Sequence, residues 1–77
     1  MITPDQCRAA RALLGWSAQQ VADAGGIGIA TVKRFESGQS VQDASVERVK
    51  ACLEVAGIRF LVEGQSSPKG GAGVRLA

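Results

Sequence analysis

Trp16-Ser17-Ala18-Gln19-Gln20-Val21-Ala22-Asp23-Ala24-Gly25-Gly26-Ile27-Gly28-Ile29-Ala30-Thr31-Val32-Lys33-Arg34-Phe35-Glu36-Ser37-Gly38 carries two short helical patterns on either side of a glycine pair. Ser17 stands where the first pattern needs a cap, and Gln20 three residues on completes a capping box. Trp16 before the cap and Val21 at the fourth helical position have the spacing of a hydrophobic staple. Gly25-Gly26 breaks the pattern after Ala24, because glycine permits positive φ and a sharp reversal. A second helix is expected from near Gly28 to Ser37-Gly38. On a 3.6-residue wheel Ile27, Val32 and Phe35 face one way, with Thr31 at the edge. Ile29, Ala30, Lys33 and Arg34 face the other. The pattern is that of a short rod, buried on one side and basic on the other.

Upstream, Thr3 can cap a first helix, Pro4 suits its first position and Gln6 completes a second capping box. Cys7, Ala10, Arg11 and Leu14 recur at helical spacing, and Gly15 stops the helix where a left-handed residue is wanted. Downstream, Gln39 to Gln42 read as a loop. A fourth helix starts at Asp43 or Ala44, with Val46, Val49, Leu53 and Ala56 as its buried stripe. Glu47, Arg48, Lys50 and Glu54 form its wet face, and Gly57 ends it. Ile58-Arg59-Phe60-Leu61-Val62 then reads as a strand, rich in β-formers. Gly64 to Gly73 is a Gly/Ser/Pro linker, and Val74-Arg75-Leu76 has the composition of a second, very short strand.

The expected fold is mainly α: a bundle of about four helices over residues 1–57, with a short β strand or hairpin in a tail over residues 58–77. Two strands alone are marginal in water. An exposed edge at 58–62 invites pairing with a copy of itself, which makes Ile58, Phe60 and Val62 candidates for a homodimer contact. A local hairpin packed on the fourth helix, or a frayed tail, is the alternative.

Size and composition narrow the function. A chain of 77 residues builds one small core, and a cofactor-sized cleft is not expected. Its apolar runs stop far short of the roughly 20 residues of a membrane span. Met1 to Asp5 has neither the basic start nor the apolar core of a signal peptide. A cytoplasmic protein is expected, with Cys7 and Cys52 as reduced, structural thiols. Net charge is +2. Six basic and six acidic residues cancel over residues 1–57, and the excess comes from Arg59, Lys69 and Arg75 against Glu63. A nucleic-acid contact would therefore depend on local placement of charge. The chain has no His and no Tyr, and its two cysteines lie too far apart for metal-ligand spacing. Gly26-Ile27-Gly28 lacks the strand and third glycine of a dinucleotide fingerprint, and Pro68-Lys69-Gly70-Gly71 lacks P-loop order. No enzyme, cofactor or metal is expected.

Gly15-Trp16-Ser17, Val21-Ala22, Gly26-Ile27, Thr31-Val32, Phe35-Glu36 and Gly38 carry a resemblance. With their spacing, residues 3–57 resemble the Xre/Cro-type, lambda-repressor-like helix-turn-helix domain of bacterial and phage repressors. The tail lies outside it. The resemblance implies that the third helix enters the DNA major groove, with the second helix across the backbone. It also implies that Arg11 pairs with Glu36 and pins the third helix to the first. The chain departs from many relatives in having Ala18 where they carry Gln after the cap. It also has Gly28 where they carry a hydroxyl cap, and Ile29 and Ala30 where they carry polar base readers. An apolar side chain reads a thymine methyl and offers no hydrogen-bond code. Arg34 is then the best direct reader, with Lys33, Thr31 and Ser37 as phosphate partners. Ser17, Gln19, Gly28, Ile29 and Ala30 complete the expected DNA surface.

The function so implied is a DNA-binding transcription regulator. Its simplest form is a repressor, acting as a homodimer on an inverted repeat with half-sites about 34 Å apart. An antitoxin or antiactivator that uses the same fold to dock a protein partner is the competing expectation.

Overall fold

The computed structural model describes residues 1–61 and 73–76. Four helices and a hairpin follow in chain order: α1 (Pro4–Leu14), α2 (Ala18–Gly25), α3 (Ile29–Glu36), α4 (Asp43–Val55), β1 (Ile58–Leu61) and β2 (Gly73–Leu76).

The helix starts obey local chemistry. Thr3 Oγ1 accepts from the Gln6 N–H at 3.1 Å, and Gln6 Oε1 accepts from the Thr3 N–H at 2.9 Å. Ser17 and Gln20 repeat the arrangement at 3.2 and 2.8 Å. Each box satisfies two backbone donors that a helix start otherwise leaves open. Gly15 and Gly26 end α1 and α2 in the left-handed region, at φ 68° and 66°. A side chain there would be strained. The first half of the glycine pair does not break α2, which runs through Gly25 before Gly26 turns the chain.

Cys7 and Ala10 of α1, Val21 and Ala22 of α2, Val32 and Phe35 of α3, and Val46, Val49 and Leu53 of α4 share one core with Ile2 and Ile58. Three expected positions shift. Ile29 is half-buried and packs against this core instead of standing on the outer face. It opens α3, where the chain has just left the turn beside α2, so its side chain falls toward the inter-helix seam. Ala56 is the C-cap of α4 and only half-buried. Ile58 is 3% exposed and fills the core of its own chain.

β1 and β2 pair antiparallel in the register Ile58↔Leu76, Arg59↔Arg75, Phe60↔Val74 and Leu61↔Gly73. The tail is thus a local hairpin, packed on both α4 and α1. Alternation turns Phe60 and Val74 toward the core and leaves Arg59 and Arg75 exposed. Gly73, which the composition assigned to the linker, is the first residue of β2 because Leu61 needs a partner there. Val62 and the rest of the linker lie outside the described residues. Gln6 ties the hairpin down: its Nε2 donates to the Leu61 carbonyl at 2.9 Å and to the Gly73 carbonyl at 3.1 Å. The helix cap and the hairpin clasp are the two ends of one amide.

Candidate nucleic-acid interface

α3 is eight residues long and amphipathic. Val32 and Phe35 are buried and hold it to the domain, while Ala30, Lys33 and Arg34 are exposed. Thr31 is half-buried at the edge. Lys33 and Arg34 lie in the last turns, where the helix dipole favours a cation. The start of α3 is bare: Gly28 is exposed and contributes no side-chain cap.

The other end of α3 is anchored by α1. Glu36 is 9% exposed, and Arg11 grips both its oxygens, with Nε on Oε2 at 2.7 Å and Nη2 on Oε1 at 2.9 Å. Arg11 Nη1 also donates to the Trp16 carbonyl at 3.2 Å, which ties the α1–α2 turn to the same guanidinium. The Arg11–Glu36 pairing implied by the resemblance is therefore present. Two further contacts were not foreseen. The buried Cys7 thiol donates to Glu36 Oε2 at 3.1 Å, and the Arg8 guanidinium donates to the Glu36 carbonyl. Arg8 also pairs with Asp5. Nothing in the sequence pattern marks Cys7 as more than a small core residue, since a thiol and a methyl group pack alike.

The expected DNA residues are not equally free. Arg34 leans toward Thr31, with Nη2 at 3.4 Å from Oγ1. Ser37 Oγ donates to the Arg34 carbonyl at 3.0 Å, so its proton serves the end of α3. Gln19 Nε2 donates to Asp23 Oδ1 at 2.9 Å along α2. The Ser17 hydroxyl accepts from Gln20 and keeps its own proton for another partner. Thr31 and Arg34 open onto a cleft of about 460 Å³ that Ser40, Val41, Gln42 and Ser45 close on the α4 side. Reading residues 39–42 only as a loop gives no place to Ser40 and Gln42, the two polar side chains of that loop that line the cleft. The signal available was a run of short polar residues flanking the start of a helix.

Exposed cations on a short helix, braced behind by a second capped helix across a left-handed glycine turn, define a helix-turn-helix fold. Residues 8–62 match the family model described as helix-turn-helix. The chain belongs to that family, the Xre/lambda-repressor-like helix-turn-helix proteins, a family of DNA-binding transcription regulators. Comparison with curated proteins gives no match. Among the described residues, no helix is long and apolar enough to cross a membrane.

Proposed function

We propose that this protein is a transcription repressor that lays α3 in the major groove of an inverted-repeat operator and works there as a homodimer. The observation that carries the reading is the division of α3 into a locked face, Val32 and Phe35, and a presented face, Ala30, Lys33 and Arg34. Arg34 is the direct base reader, while Lys33, Thr31, Ser17 and Gln19 serve backbone phosphates, and Ser37 joins them by releasing the Arg34 carbonyl. Gly28, Ile29 and Ala30 allow close approach, and Ala30 offers a methyl contact. With so few hydrogen-bonding readers, one copy discriminates weakly and a second copy supplies the rest. The tail is the proposed dimer element. Ile58 and Phe60 support the hairpin from inside, and the strand edge with the exposed Leu76 meets the second copy. Such a regulator acts in the cytoplasm without cofactor or metal.

A mobility-shift assay on the DNA flanking the gene tests the reading. Lys33→Ala should weaken binding almost equally on all sequences. Arg34→Ala should cost about 1–3 kcal/mol and relax one base position. Tight, selective binding by the double variant would remove α3 from the groove. Sedimentation of the full chain, free and on DNA, tests the dimer, and a monomer under both conditions removes that part.

A protein-docking role, as in an antitoxin or antiactivator, draws on one other feature. Trp16, Ala24, Ala51, Cys52, Val55 and Ala56 line an apolar trough of about 540 Å³, and Val55 at its edge is 90% exposed. Under that reading Val55→Glu, and not Arg34→Ala, abolishes activity in the cell.

A further inference from the structure

α3 is held unevenly. Its first turn has no side-chain cap, and its last residue carries the polar contacts to α1. Beside the packing of Val32 and Phe35, the polar attachment of so short a helix is therefore made at Glu36. The carboxylate has two oxygens and receives three side-chain donors. Oε1 takes Arg11 Nη2, and Oε2 takes both Arg11 Nε and the Cys7 thiol. The guanidinium fixes the carboxylate in its own plane and is itself held by the Trp16 carbonyl, but its side chain is 24% exposed at the end of a long stem. Cys7 is 0% exposed, has one side-chain torsion, and approaches from the core side of α1. It is the rigid member of the set.

We propose that Cys7 is a positioning residue for DNA binding: its thiol proton, held on Glu36 Oε2, fixes the Arg11–Glu36 fork and through it the angle at which α3 meets the groove. This inference rests on the reading of α3 as the groove helix. The thiol must act as donor, because the ionised carboxylate only accepts. The proton stays on sulfur, since burial and the neighbouring carboxylate both oppose a thiolate. A serine at position 7 keeps a donor there, whereas an alanine leaves Oε2 to Arg11 alone.

Two measurements on the full chain test this, both at a temperature where circular dichroism shows every variant folded. The first is the infrared S–H stretch of Cys7 in a Cys52→Ala background. A band shifted to lower frequency by the carboxylate, returning toward its free position in Glu36→Gln, supports the contact. An unshifted band overturns it. The second is affinity for an inverted-repeat DNA that the unaltered chain binds. Cys7→Ala should bind more weakly in proportion to the copies whose α3 leaves the binding angle, about tenfold if one copy in ten keeps it, and Cys7→Ser should recover most of that loss. Equal affinity in the alanine variant, or an equal loss in the serine variant, overturns the positioning role and leaves the groove assignment standing. If the unaltered chain shifts no DNA, the groove assignment fails and takes this inference with it.

Discussion

Arg11 binds Glu36 through two parallel hydrogen bonds, 2.7 and 2.9 Å long, across 25 residues of chain. A forked pair of this kind is directional as well as strong. Removing one member leaves the other charge part-buried without its counter-charge, Glu36 with the Cys7 thiol alone and Arg11 with the Trp16 carbonyl alone. Glu36→Ala or Arg11→Ala is expected to lower stability by on the order of 3 kcal/mol, the lower end of the range for buried pairs, since Arg11 keeps some contact with water. For a domain of this size that is a large share of the total. Urea titration followed by circular dichroism checks it. Variants within about 0.5 kcal/mol of the unaltered chain would show that the pair orients α3 without stabilising it.

Gln6 is expected to be more costly to lose than its place on a helix N-terminus suggests. Its amide caps α1 and also satisfies two carbonyls of the hairpin. Gln6→Ala removes all of these at once, at about 2–3 kcal/mol for a lost cap and unmet acceptors. Gln6→Glu keeps the cap acceptor and loses the hairpin donor. It should therefore melt below the unaltered chain, and a melting temperature at or above it would refute the clasp.

Arg59 and Arg75 stand directly opposite each other and both are exposed. Like charges in that relation disfavour the strand pair. Arg59→Glu converts it to an attraction and should stabilise the domain by about 0.2–1 kcal/mol, a rise in melting temperature of up to about 6 °C at low salt. The gain should shrink in high salt. No gain at low salt would mean that the two guanidinium groups do not share one face.

Stability should fall at alkaline pH. Burial, with the Glu36 hydrogen bond and charge, raises the Cys7 thiol well above its ordinary 9.0 in the folded chain. In the unfolded chain the thiol ionises near that ordinary value. Its contribution is thus complete below pH 9 and is lost as pH rises from there toward the folded value. The slope approaches about 1.4 kcal/mol per pH unit. Cys52 shifts in the same direction through burial. The chain has no tyrosine to confuse the window between 9 and the lysine range. Denaturant midpoints across pH 8–10 should drop for the unaltered chain. They should stay nearly level for the Cys7→Ser, Cys52→Ser double variant, and parallel curves would contradict the assignment.

The helices and their caps were legible because each rests on neighbours in sequence. Thr3 with Gln6, Ser17 with Gln20, and Gly15 and Gly26 need no tertiary information. The buried stripes of α3 and α4 were legible from periodicity. What periodicity cannot report is the direction in which a seam residue leans, so Ile29 was placed on the wrong side. Ile58 reads equally as a dimer contact or as part of a hairpin packed on α4, because an isolated strand has two equivalent faces until a helix covers one of them. Cys7 and Gln6 were read by type as core and cap. Their second partners lie 29, 55 and 67 residues away, beyond any local pattern.

The clasp made by Gln6 also orders events in time. Contacts between α2 and α3 and between α3 and α4 join neighbours in the chain, and such contacts form early. The strands can settle on α4, their neighbour in the chain, but the clasp needs a loop of 55 residues to close onto α1. The hairpin is therefore expected to close onto α1 late and to leave it early. Its amides should exchange with solvent well before those of Val32 or Leu53, which makes the sheet the separable unit of an otherwise cooperative domain.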